Sequence, residues 1–307
     1  MTLRVTFLGT SGAVPTTERS PSAVFVNREG DELLFDCGEG TQRQMMRYGT
    51  GFSVSAIFLT HVHGDHVFGL PGLCHTWSFQ GREEALSIYT PEGTRSDVFS
   101  LVTACGGEFS YPVHVSEVAP GETAFEGDGY AVEAFATDHR TRSVGYALVE
   151  DERKGRFFRE KAEDLGVPVG PKFSKLHEGE PVELEDGTVV EPEQVVGPPR
   201  PGRKVVYTGD TSPTESVVEA AAGADVLIHD ASFADEDAGR ARETGHATAR
   251  EAGEVAARAG ADELVLTHIS PRYSGDASVL VAEAREAFDG SVVLARDGLE
   301  VDVPYRD

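Results

Sequence analysis

Lysine is scarce in this chain: five of its 307 residues are lysine, against 22 arginine and 52 acidic residues, and the formal net charge is −25. That balance argues against a broad basic face for nucleic acid. A lysine-poor, acidic surface stays hydrated where concentrated salt screens its self-repulsion, so the composition points to a salty cell interior. The acids are spread along the whole chain and form no dedicated cation-binding or protein-binding block. Long apolar runs are missing too. No stretch of 18 or more apolar residues occurs, which leaves no membrane-spanning helix to expect. Met1 leads straight into a strand-like run over residues 3–9, without the basic and apolar segments of a secretory leader, so the expected compartment is the cytoplasm. Cysteine is sparse: Cys37, Cys74 and Cys105 are widely spaced, odd in number and lack any CxxC pairing. A disulfide framework is therefore excluded, and the three read as buried, reduced thiols.

What is present is an alternation of strands and helices. Strand-like runs over residues 3–10, 22–27, 32–36, 56–60 and 86–90 are separated by glycine-rich turns. Later, helical spacing over 214–222, 248–259 and 277–288 alternates with strand-like 204–208, 225–229, 263–267 and 291–295. Thr248 followed by Glu251 reads as a capping box opening the apolar stripe Ala249, Ala252, Val255, Ala256 and Ala259. Over residues 150–203 the pattern lapses into prolines and glycines, too long for an idle loop, and this stretch reads as a protruding arm inserted between two halves.

Four apolar runs end on residues able to ligate a metal: Ile57-Phe-Leu-Thr60 before His61, Ala136-Thr-Asp138 before His139, Val206-Tyr-Thr-Gly209 before Asp210, and Leu264-Val-Leu-Thr267 before His268. Such endings place ligands together at the carboxyl edges of sheets. Two similar halves facing one another would make an α/β fold of four layers, αββα. His61-Val-His63-Gly-Asp65-His66 concentrates three imidazoles and a carboxylate in six residues. With Gly64 expected to allow a tight turn, His61 and His63 can face one metal while Asp65 and His66 face another. His246, just before Thr248, falls at a helix N-terminus where free amides favour phosphate. Trp77 and Phe79 read as core, and His75, His114, His177 and His229 as structural or solvated.

The His61-to-His66 cluster resembles the HxHxDH signature of the metallo-β-lactamase superfamily. Further segments resemble one branch of it, the tRNA 3′-processing endonucleases called RNase Z: Leu8-Gly-Thr-Ser-Gly-Ala-Val-Pro15, Asp36-Cys-Gly-Glu-Gly-Thr-Gln42, Thr208-Gly-Asp-Thr211, Gly245-His-Ala-Thr248 and His268-Ile-Ser-Pro-Arg-Tyr273. The likeness runs along residues 1–307. It implies one metallo-β-lactamase domain holding two zinc ions per subunit, one on His61, His63, His139 and bridging Asp210, the other on Asp65, His66, Asp210 and His268. Zinc suits imidazole-rich ligation and manganese is compatible with a bridging carboxylate. The implied reaction is hydroxide attack on a precursor tRNA phosphodiester near the discriminator base, with Asp65 as base and His246 as proton donor.

Residues 151–175 carry seven bases against five acids, including Lys154, Lys161, Lys172 and Lys175. That local excess supplies the cations phosphate contacts need, and residues 166–171 resemble the tip of the family's flexible tRNA-binding arm, which implies a homodimer. Arg272 would lie close enough to His268 to reach the RNA end. Two other readings stay open here: a hydrolase of small phosphodiesters or thioesters, which leaves the basic arm unexplained, and a zinc-stabilised RNA-binding protein without activity, which would be expected to have lost ligands.

Overall fold

The computed structural model describes residues 2–306 except 105 and 107, so the expectation for Cys105 lies outside the described residues. The chain forms two compact units, one comprising Met1–Val149 with Arg203–Tyr305 and the other Glu150–Gly202 with the last two residues.

In the larger unit, strands β1 (Leu3–Gly9), β2 (Ala23–Arg28), β3 (Asp31–Phe35), β4 (Ala56–Phe58), β5 (Leu86–Pro91) and β6 (Val113–Val118) form one sheet, closed at its other edge by a strand over Glu300–Asp302 that pairs with β1. Pairing is antiparallel from that edge to β3 and parallel from β3 to β6. A second seven-stranded sheet combines β7 (Thr123–Gly127), β8 (Tyr130–Ala136) and β9 (Val144–Glu150) with four later strands, Lys204–Tyr207, Val226–Asp230, Glu263–Thr267 and Ser291–Leu294, which run parallel to one another.

Alternation of side chains along these strands makes the layers. On β4, Ala56 and Phe58 enter a core shared with Tyr146, Tyr207, Ile228 and Val265 of the second sheet, while Ile57 faces outward onto Leu70, Leu73 and Trp77. Phe35, Phe58 and Tyr89 stack there with ring centroids 4.9 and 5.2 Å apart. Leu264 and Leu266 meet the outer helices Glu215–Ala220, Ala249–Ala259 and Ser278–Ala287. Helices outside two facing sheets give the four layers.

The helix Ala249–Ala259 opens with the capping box read from the sequence: Thr248 accepts from the Glu251 N–H and Glu251 accepts from the Thr248 N–H, an arrangement worth about 1 kcal/mol. The helices Thr41–Tyr48, Leu70–Phe79 and Arg95–Thr103 have no counterpart in the sequence reading. In Leu70–Phe79 the proline occupies the first turn, where no hydrogen bond is lost. That helix also corrects the reading of Phe79. Leu70, Leu73, Cys74 and Trp77 occupy its inner face at helical spacing, with Trp77 2% exposed, whereas Phe79, two residues further round, is 93% exposed. Cys37 and Cys74 are buried free thiols; burial raises both, Cys74 to about 11, so neither is a ready thiolate. Among the described residues no helix is long and apolar enough to cross a membrane.

The smaller unit is not structureless. Helices Arg159–Asp164, Pro171–His177 and Pro192–Val195 and a two-stranded pair, β10 (Val182–Glu183) with β11 (Val189–Val190), enclose a core of Ala162, Val167, Leu176, Val182, Val190 and Val195. Prolines taken as breakers sit at helix starts, Pro171 and Pro192 each beginning one.

Candidate active site

Strand ends deliver the polar side chains of the larger unit to one edge. His61 follows β4, His139 follows β8, Asp210 follows the strand Lys204–Tyr207, and His268 follows Glu263–Thr267. Three overlapping donor groups result: His61, His63, His139 and Asp210; Asp65, His66, Asp210 and His268; and Asp210, Asp230, His246 and His268, the ligand atoms of each lying within 4.8 Å of one another. Asp210 belongs to all three, and the first two are the sets expected from the sequence. Gly64 works differently from expectation: it opens the short helix Gly64–Val67 in ordinary helical backbone, and a Cβ there would lie 2.2 Å from the Phe68 ring. Its role is to make room for that ring. The glycine that must be left-handed is Gly209, at φ 60, where a Cβ would also strike Thr60 at 2.6 Å.

Hydrogen bonds on the outward nitrogens fix how the imidazoles face inward. Asp36, fully buried, accepts from His66 Nδ1 at 2.7 Å, from the Tyr207 hydroxyl at 2.8 Å and from the Thr60 hydroxyl at 2.9 Å. Having given its hydrogen to Asp36, the Thr60 oxygen accepts from His61 Nδ1 at 3.0 Å. His139 Nδ1 donates to the Gly245 carbonyl at 2.7 Å. Ser232 donates to Asp230 at 2.7 Å and accepts from His268 Nδ1 at 2.8 Å. Each Nε2 is thereby turned toward the centre, the nitrogen a metal ligand would use once it carries no proton. His63 instead presents Nδ1, 3.0 Å from His61 Nε2 and 3.3 Å from His139 Nε2.

Convergent lone pairs repel unless a cation lies among them, and the donor set fits one. Among the described residues, His66 Nε2 and Asp210 Oδ1 are buried with no well-formed hydrogen bond, though they lie 3.3 Å apart, and metal ligation would satisfy both. The chain therefore has His/Asp clusters suited to metal. Three residues at this edge hold left-handed backbone without being glycine, Ala13 at φ 63, Asp36 at φ 57 and His268 at φ 58, a strain of about 1–3 kcal/mol each that packing must sustain.

Burial pushes His61 well below the usual histidine range, helped by the charge of His66, and burial with His139 lowers His63. Burial would lower His66 as well, but Asp210 and Asp36 outweigh it and hold the ring well above the usual value. Asp65 and Asp210 are kept ionised by histidines despite burial. Asp65 Oδ2 also accepts the Ala13 N–H at 2.8 Å. The cleft above these groups encloses about 360 Å³, with Asp65, Asp210, His246 and Thr244 among its walls. His246 donates Nδ1 to Asp230 at 2.7 Å; burial opposes its charge, Asp230 outweighs burial, and the ring is raised to about 9.

Asp36, Asp230, Ser232 and Thr60 are the residues the sequence reading missed. Asp36 directly follows β3 and Asp230 ends the strand Val226–Asp230, so the rule that found His61 and His268 applied to them as well. Arg272 does not line the cleft; its guanidinium lies 3.8 Å from Asp237. Of the histidines set aside, His229 is fully buried and donates to the Asp230 carbonyl at 2.7 Å, His177 bonds the Gly155 carbonyl at 3.0 Å, His75 packs on Phe109 and His114 is exposed. Lys154 and Lys175 are exposed in the smaller unit, where Lys172 donates to the Glu183 carbonyl at 2.6 Å.

Ligand-bearing loops at one edge of two facing sheets define a class, and a family profile described as the metallo-beta-lactamase superfamily matches residues 16–268. Ribonuclease Z of Halorubrum lacusprofundi is 62% identical over 307 residues, spanning 100% of this chain and 99% of that protein, and ribonuclease Z of Halobacterium salinarum is 63% identical over the same spans. The crystal structure of the short form of human tRNase Z is similar with a TM-score of 0.70 at 30% identity, covering 98% of this chain and 99% of that one. Within the metallo-β-lactamase superfamily, the chain belongs to the ribonuclease Z family.

His66 raised by two carboxylates gives a test of the metal fit. A proton held there must leave before Nε2 can ligate, so metal affinity should rise with pH and uptake should release protons. Calorimetric titration of the metal-stripped protein with zinc in buffers of different ionisation enthalpy should report release of at least one proton. Uptake with no release would contradict the reading.

Proposed function

We propose that the chain is a tRNA 3′-processing endonuclease that hydrolyses a precursor tRNA phosphodiester near the discriminator base and leaves a 3′-hydroxyl on the tRNA. The observation that carries this is the pair of donor groups sharing Asp210 beneath an open cleft, in a chain belonging to the ribonuclease Z family. Zinc, two ions per subunit, suits five imidazoles and a shared carboxylate, and manganese is compatible. Bound there, metal would lower the pKa of water and offset charge on the phosphate.

The chain's own residues do the rest. Asp65, its Oδ2 held by the Ala13 amide, is placed to accept a proton from the attacking water. His246, raised to about 9 beside Asp230, carries a proton at neutral pH and supplies it to the departing ribose 3′-oxygen. The N-terminus of the helix Ala249–Ala259, two residues on, favours the phosphate's negative charge. Residues 150–203 act as a flexible tRNA-binding arm, with Lys154, Lys172 and Lys175 contacting phosphates of the tRNA body and Arg272 meeting the RNA end. A homodimer, in which one subunit's arm holds the tRNA cut by the other, completes the reading.

Purified protein in concentrated KCl should cut a 3′-extended precursor tRNA once, the product ending in a 3′-hydroxyl at the discriminator. Asp65→Ala should lose nearly all cleavage while binding of the precursor survives. Ragged trimming from the 3′ end, or an Asp65→Ala protein that still turns over, would refute the assignment. Replacing residues 154–175 by a short Gly/Ser bridge should raise KM for precursor tRNA steeply and spare hydrolysis of bis(p-nitrophenyl) phosphate, at low and high salt alike. Unchanged KM would remove the arm from recognition.

A further inference from the structure

Arg140 follows His139 directly and lines the same cleft. It is the one lysine or arginine among the cleft's described lining residues. The side chain is exposed, and among the described residues it makes no ion pair or hydrogen bond. Arg4, Arg159, Arg258 and Arg272 show what exposed arginines often do in a chain with 52 acids: each lies against a carboxylate. At the cleft that choice is closed, because Asp65 and Asp210 are engaged by histidines.

The loop carrying Arg140 is tied down on both sides. The Asp138 amide donates to the Thr211 hydroxyl at 3.0 Å, and the Ser212 amide to the Asp138 carbonyl at 2.8 Å. Thr137 donates to Ser143 at 2.7 Å, and Arg142 Nη1 to the Gly93 carbonyl at 2.9 Å. The stem of Arg140 runs over Gly245, left-handed at φ 74, where a Cβ would lie 3.0 Å from Arg140 Cγ. Gly245 is also the residue whose carbonyl orients His139. One glycine thus aligns a candidate ligand and seats the arginine beside it. A cation whose base is already ordered loses less freedom when it takes hold of an anion, and the planar guanidinium matches two oxygens of a phosphate.

We infer that Arg140 grips a backbone phosphate of the RNA flanking the scissile bond, setting the register of the strand across the cleft. This rests on the endonuclease reading above. The phosphate is a flanking one because the convergent donors of His63, His139 and Asp210 occupy the part of the cleft where the scissile phosphate must lie, while Arg140 is an exposed member of the same lining. Arg140 is a positioning residue in this account: it touches the substrate away from the bond that breaks.

The test is a double-mutant cycle between protein and RNA. A set of 3′-extended precursor tRNAs is prepared, each with one uncharged methylphosphonate linkage at a position within a few nucleotides of the cut, and assayed with the full chain. On the all-phosphate substrate Arg140→Ala should raise KM about tenfold, as loss of a charged hydrogen-bonded contact does, and the slope of log KM against log salt should fall by about one. One methylphosphonate should cost the unaltered protein a similar factor and cost Arg140→Ala little, because the contact is already gone. Arg140→Lys should recover part of the loss, keeping the charge without the fork. Arg140→Gln serves as the second variant, and matching thermal unfolding curves establish that both keep the fold. Losses that simply multiply at every position, or an unchanged KM, overturn the role of Arg140 alone. A wild-type protein that cuts none of the substrates overturns the endonuclease reading and this inference with it.

Discussion

A buried carboxylate organises the site. Asp210 is 3% exposed and lies 3.2–3.9 Å from nitrogens of His61, His66, His139 and His268. An ionised carboxylate removed from water is costly unless positive charge meets it from several sides. The imidazoles cannot all supply that charge, since burial drives His61 and His63 toward their neutral forms. Metal held among them can. The geometry of the surrounding residues follows from keeping the donors aimed at that position: outward nitrogens are capped by Asp36, Ser232 and the Gly245 carbonyl, and strained backbone is tolerated at Ala13, Asp36 and His268.

The two halves contribute in parallel ways. In each sheet a parallel run leads to this edge, ending in Asp36 and His61 in the first half and in Asp210, Asp230 and His268 in the second. Asp36 orients His66 as Asp230 orients His246, each with a bond of 2.7 Å from a buried or half-buried ring. The consequences differ. His66 has Asp36, Asp210 and Asp65 within 3.5 Å and faces the shared donors, whereas His246 has Asp230 at 2.7 Å with Asp210 at 4.0 Å and stands in the cleft wall, and the proposed reading gives ligation to the first and proton delivery to the second. In the proposed reading the same pairing of imidazole with aspartate serves two ends, separated by position.

Much of this was legible in the sequence because its signals are local. Strand periodicity followed at once by His61, His139, Asp210 or His268 needs no tertiary knowledge, and the capping box at Thr248 is a four-residue pattern. What was not legible depends on what a residue faces. Asp36 and Asp230 look like ordinary strand-end acids until the sheets bring His66 and His246 against them. Phe79 has the composition of a core residue, and only the helix Leu70–Phe79 decides that Trp77 turns inward and Phe79 outward. Proline-rich chain between 150 and 203 reads as irregular, because propensity cannot show that Pro171 and Pro192 begin helices that close on Ala162, Leu176 and Val195. Gly64 was read as a turn residue for the same reason: the Phe68 ring that needs the space is four residues on and invisible to spacing.

If the shared donor groups activate the attacking water while His246 protonates the leaving oxygen, the two contributions separate by leaving group. The most direct measurement compares kcat/KM of His246→Ala with that of the unaltered protein on two phosphodiesters, one expelling a ribose 3′-oxygen and one expelling p-nitrophenolate. The first leaving group needs a proton, and its cleavage should slow by about 10²-fold or more. The second departs as a stable anion and should slow far less. Equal losses on the two substrates would contradict the account.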